Sequence, residues 1–111
     1  MDQVTLFSAS EFGRTLTFNG RGTDHAWAGH NFLVGGGVRG GRIFGTYPSS
    51  LTGYDDTLTR GRIIPTLPWE SVWYGLAQWF GVEEGAQMDY VLPNLKNFGS
   101  GQRLSASQLF E

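Results

Sequence analysis

A chain of 111 residues is long enough for one small domain with one core. Charged residues make up only 16% of it, against roughly 25% in typical soluble domains, and the net charge of −2 leaves no clustered basic stripe for nucleic acid and no polybasic membrane anchor. The absence of cysteine excludes disulfide scaffolds, thiolate zinc sites and a cysteine nucleophile, and no run approaches the ~20 apolar residues of a membrane span.

The opening residues, Met1 to Phe7, lack the basic region and long apolar run of a signal peptide. Val4-Thr5-Leu6-Phe7 is β-prone instead, and a chain that starts this close to a strand reads as the C-terminal piece of a larger domain. That strand is expected to deliver Ser10-Glu11-Phe12-Gly13-Arg14 to its end. Residues 13–30, with four glycines and many polar side chains, read as an irregular loop. Asn31-Phe32-Leu33-Val34 and Arg42-Ile43-Phe44-Gly45 are strand candidates, joined through Gly35 to Gly41 by a glycine-rich hairpin connection.

Residues 46–67 read as an extended surface loop with Pro48, Pro65 and the turn-prone Gly53-Tyr54-Asp55-Asp56, interrupted by β-prone Arg62-Ile63-Ile64. A helix is predicted over residues 68–80. Pro68 suits its first turn, Glu70 faces the positive end of the helix dipole, and Gly81 suits the position past its end. Trp69, Val72, Trp73, Leu76, Trp79 and Phe80 fall at helical spacing, and this aromatic face is expected to pack in a core. Met88 to Leu92 predicts one more helical turn, with Leu95 and Phe98 as anchors after it. Residues 99–111 read as a polar, mobile tail.

Glu11, Asp24, His25 and His30 are the densest set of metal-ligand residue types. An adjacent carboxylate and imidazole, between Gly22 and Gly29, can converge on one ion, and this pair of donors suits zinc or manganese better than calcium. Spacing alone favours the plainer alternative, in which Asp24 caps a turn and His25 bonds locally. Glu11, at a strand end, is either a functional carboxylate or an ion-pair partner of Arg14 or Arg21. Arg14 has a matching role as an anion-binding clamp, since guanidinium grips phosphate and sulfate at two points. Gly35-Gly36-Gly37-Val38-Arg39-Gly40 satisfies the dinucleotide-binding pattern but is followed by no helix, so a turn is the better reading.

Val4 to Arg14, then Gly22-Thr23-Asp24-His25, then Gly35 to Gly45, then Trp79-Phe80-Gly81-Val82 and Leu92 to Phe98, resemble the end of a sulfatase-like family in that order. The family is the domain of unknown function 1501, grouped with the alkaline phosphatase and sulfatase superfamily. The resemblance implies an α/β fold, the C-terminal portion of a three-layer sandwich, with residues 1–98 as the family segment. It implies a divalent metal on Asp24 and His25, with Glu11 next and His30 as a further imidazole. Where the superfamily commonly places a histidine four positions after the acid, this chain has Thr15.

The resemblance further implies a phosphate or sulfate ester as the substrate of the full domain, a nucleophile upstream of these residues, and no turnover by the 111 residues alone. Family members are often exported, and nothing in the sequence fixes localisation or oligomeric state. The alternative from another class is a non-catalytic binding module. There, Trp27, Tyr47, Tyr54 and Trp69 would hold a carbohydrate or protein partner.

Overall fold

The structure is a computed structural model that describes residues 2–52 and 57–111. Its strands are β1 (Thr5–Phe7), β2 (Gly13–Phe18), β3 (Thr23–Ala26), β4 (Leu33–Gly35), β5 (Thr57–Leu58) and β6 (Arg62–Ile63). Its helices are α1 (Trp69–Trp79), α2 (Ala86–Val91) and α3 (Ala106–Leu109), with single 3-10 turns at Leu95–Asn97 and Ser100–Gln102. This is the mixed α/β class expected from sequence. The strands pair as three two-stranded sheets, β1 with β4, β2 with β3 and β5 with β6. Tyr54 and the turn predicted around it lie outside the described residues.

The chain divides into two units that interleave in sequence. One comprises Met1–Thr5, Val34–Arg42 and Leu67–Glu111, and the other Leu6–Leu33 and Ile43–Thr66.

In the second unit, the segment read as an irregular loop is an antiparallel hairpin of β2 and β3. The run Arg14-Thr15-Leu16-Thr17-Phe18 is rich in β-branched and aromatic residues, which favour a pleated surface. Glycines nearby do not break it. Gly20 and Gly22 take φ of 95° and 147° in the turn, and Gly13 lies so close to Ala28 that an added Cβ would sit 1.7 Å from the Ala28 carbonyl oxygen. The register is irregular between Arg14 and Phe18, where Thr15 to Thr17 oppose Asp24 alone. Such a bulge leaves ladder groups to be satisfied otherwise. Buried Thr15 does so with its hydroxyl, which accepts the Asp24 N–H at 3.0 Å and donates to the Thr17 carbonyl at 3.0 Å. The Leu16 N–H donates to the Gly61 carbonyl at 2.9 Å, which docks the β5–β6 turn on β2.

The expected glycine-rich hairpin does not form. β4 pairs with β1, and residues 42–45 make no strand, with Ile43 78% exposed. Gly41 and Gly45, at φ of 70° and 84°, bend the chain on either side of that segment. The β-prone run at 62–64 does become a strand, β6.

In the first unit, α1 matches the predicted helix. Pro68 immediately precedes it in an extended conformation, Glu70 lies in its first turn, and Gly81 follows it at φ of 88°. Its buried face differs from expectation. Ser71, Gly75, Leu76 and Ala77 are buried, whereas Trp69, Trp73 and Phe80 remain exposed. Met88 of α2 and Leu95 form a core with Ala77, flanked by Tyr74, Val82 and Leu92. Leu95 is thus the anchor expected, while Phe98 is half-buried.

The polar tail is also corrected. Leu109 and Phe110 are among the most buried side chains, because α3 is started by a capping box of Ser105 and Gln108, and Phe110 stacks on Trp79 at 4.9 Å. Backbone bonds from Arg39 N–H to the Leu109 carbonyl and from Glu111 N–H to the Gly37 carbonyl, each 2.9 Å, tie this end to the glycine-rich segment.

Candidate functional site

Asp24 and His25 are neighbours on β3, so their side chains leave opposite faces of the strand. His25 is paired in register with Arg14 and stacks face to face on Phe12, ring centroids 3.9 Å apart. Arg14 donates through Nε to the Thr23 hydroxyl at 3.1 Å. Asp24 accepts the Asn19 amide on Oδ1 at 2.6 Å and the Arg60 guanidinium on Oδ2 at 2.8 Å. Its carboxyl is held below the ordinary carboxylate value, first by the Asn19 hydrogen bond and then, against some desolvation, by the positive charges of Arg60, Arg62 and Arg14. Asp24 is therefore ionised at neutral pH.

Arg14, Thr23, Asp24, His25 and Arg62 together line an open depression of about 500 Å³. Around one carboxylate it offers two guanidinium groups, a hydroxyl and an imidazole. These donors can bind an oxyanion; Arg14 is held by the Thr23 hydroxyl, Arg62 by the Thr59 carbonyl, and the carboxylate pairs with Arg60.

The structure brings Arg14, Asp24 and His25 of the expected site together. Glu11 lies in the exposed bend before β2 and His30 in the exposed loop before β4. Among the described residues, no three or more His, Asp or Glu side chains gather where they could hold a metal ion. Asp24 and His25 do not converge as two donors on one ion, because they leave opposite faces of β3, and the Asp24 carboxylate is already taken by the Asn19 amide and the Arg60 guanidinium. By themselves they are an incomplete set.

Sequence reasoning passed over Thr15, Asn19, Arg60 and Arg62. Thr15 stood out only as the place of a missing histidine, and the structure gives it the task of holding Asp24 in register through the bulge. Arg60-Gly61-Arg62 did carry a signal, two arginines flanking a turn glycine. Of the aromatics considered as binding platforms, Trp27 and Tyr47 are well exposed and Trp69 partly so.

The sequence model of the family described as a protein of unknown function, DUF1501, matches residues 1–60, just over half of the chain. The match covers β1 to β5 and with them Arg14, Asp24, His25 and Arg60. No curated protein and no solved structure matches. The chain belongs to the DUF1501 family.

Proposed function

For a member of this family, we propose a role within a hydrolase-like domain of the alkaline phosphatase and sulfatase type, in which these residues hold the oxyanion of a phosphate or sulfate ester. The observation that supports this reading is the gathering of Arg14, Thr23, His25 and Arg62 around Asp24 in one depression. Arg14 is oriented by its bond to Thr23, and His25 is fixed by its stack on Phe12. Fixed donors of this kind stabilise negative charge without having to reorganise when a ligand arrives.

A divalent ion, zinc or manganese, belongs to the same reading for the full domain, with at most one of Asp24 and His25 as a ligand from this strand and the remainder supplied from elsewhere. When bound, it would act as a Lewis acid on an ester oxygen. This chain's own contribution is to bind and orient the anion. Thr15 and Asn19 keep Asp24 in place and ionised, while Thr23 holds Arg14 and Thr59 holds Arg62 at the depression.

Titration with inorganic sulfate and phosphate, followed by amide chemical shifts, tests the proposal. Saturable shifts are expected at β2, β3 and β6, and affinity should fall at least about tenfold in Arg14→Ala or Arg62→Ala, the loss of one charge-assisted contact. Equal affinity in wild type and both variants, or no saturable shifts, would overturn it. A binding module that uses its aromatics is a second reading, favoured by the exposure of Trp27 and Tyr47 at 64% and 61%. Under that reading the arginine variants leave ligand binding intact.

A further inference from the structure

Of the four asparagines, at 19, 31, 94 and 97, Asn19 alone is followed by glycine, and the pair stands exposed at the tip of the β2–β3 hairpin. The side-chain carbon of an asparagine is open to attack by the backbone nitrogen of the next residue, and a side chain on that residue obstructs the approach. Gly20, at φ of 95°, offers no obstruction, and among the described residues its N–H is held by no hydrogen bond.

The turn arranges the remaining groups. The Arg21 N–H donates to Asn19 Oδ1 at 2.9 Å, which folds the side chain back and closes a ring that contains the Gly20 nitrogen. Attacking and attacked atoms are thereby kept near one another. The same N–H is aimed at the oxygen on which negative charge develops during attack. On the other side, Asn19 Nδ2 donates to Asp24 Oδ1 at 2.6 Å, so a carboxylate faces the nitrogen that gains positive charge as it leaves.

We propose that Asn19-Gly20 is a self-modifying site, in which Asp24 and the Arg21 N–H assist the conversion of Asn19 to aspartate or isoaspartate. The Gly20 nitrogen bonds to Asn19 Cγ and gives its proton to water. Nδ2 takes a proton from water, its bond to Cγ breaks, and ammonia leaves. Water then opens the cyclic imide at either carbonyl. The product sets a second carboxylate against Asp24 where a neutral amide stood, beside the Arg60 guanidinium. The added negative charge weakens the nearby depression for anions, a consequence that rests on the oxyanion reading of Arg14 and Arg62.

The wild-type chain, Gly20→Ala, Gly20→Asn and Asp24→Asn are kept folded in mildly alkaline buffer, and peptide mass spectrometry follows amide-to-acid conversion at each asparagine. Conversion at Asn19 is expected to be at least about tenfold faster than at Asn31, Asn94 or Asn97, a barrier about 1.4 kcal/mol lower. It should slow in both Gly20 variants, of which Gly20→Asn suits the left-handed turn if alanine strains it. In Asp24→Asn it should slow at least about threefold, because a charge-assisted bond is lost. Wild type unfolded in urea loses the same contacts and should also convert more slowly, which tests the assistance if Asp24→Asn folds poorly. Equal rates at all four asparagines overturn the proposal, as do rates in Asp24→Asn or in urea that match folded wild type. Sulfate should bind Asn19→Asp at least about threefold more weakly than wild type. Undiminished affinity overturns the effect on the depression. If wild type binds no sulfate, the oxyanion reading alone fails, since the mass gain judges the conversion.

Discussion

Asp24 is held by three groups that do different things. The Thr15 hydroxyl accepts its backbone N–H, the Asn19 amide donates to one carboxylate oxygen, and Arg60 neutralises the other. The Asn19 bond is the largest cause of the lowered pKa; desolvation opposes it, and the charges of Arg60, Arg62 and Arg14 lower it further. Because the folded-state value lies below the unfolded one, the carboxylate contributes stability above the ordinary carboxylate range. That contribution is lost as pH falls through the folded value. Asn19→Ala should therefore raise the Asp24 value toward the ordinary one even with Arg60 in place, as read from a pH titration of its side-chain carboxyl carbon by NMR. An unchanged titration would assign the depression to the arginines instead. At this scale the sequence was informative where the chemistry is adjacent, as in Asp24-His25. It was silent where the partner is remote, since nothing local to Arg60 points at a residue 36 positions earlier.

Among the elements, α1 was legible in existence and extent, because a 3.6-residue apolar period, an acidic first turn and a glycine stop all agree. Its buried face was not. Aromatic bulk argues for burial, yet at Ser71 and Gly75 it is the backbone of residues 102–105 that packs on α1, and backbone can approach only small residues. Ser71 donates its hydroxyl to the Gln102 carbonyl, and the Ser71 carbonyl accepts the Leu104 N–H at 3.2 Å. One turn further along, a Cβ on Gly75 would lie 2.5 Å from the Leu104 carbonyl oxygen and 2.6 Å from Leu109 Cδ1. Two effects then compete in Gly75→Ala. Helix propensity favours alanine by about 1 kcal/mol, while overpacking against backbone costs about 1–3 kcal/mol. Overpacking should win, because a carbonyl cannot rotate aside as a side chain can. A net loss on the order of 1 kcal/mol, seen as a lower urea midpoint of the helical circular dichroism signal, is the expected result. A gain in stability would show that the 102–105 segment yields freely.

For the molecule as a whole, the limit on reading the sequence was non-local closure. Periodicity and turn chemistry act over a few residues, but the first unit is assembled from three separate stretches of chain. Its last residues are secured by partners far back in sequence. Arg39 Nε donates to the Phe110 carbonyl at 2.7 Å, Val38 bridges Phe110, and the Phe110 ring stacks on Trp79. A polar composition over 99–111 therefore concealed two residues that fill the core. Phe80 and Phe110 both touch Trp79, with centroids 5.1 and 4.9 Å from it, yet Phe80 is 78% exposed and Phe110 only 4%. Burial rather than contact should decide the cost of truncation. Phe110→Ala is expected to lose about 3 kcal/mol, and Phe80→Ala to stay within about 0.5 kcal/mol of wild type. Urea unfolding followed by tryptophan emission measures both. Equal losses would mean that the Trp79 ring contacts, and not the closure of the chain end, hold this unit together.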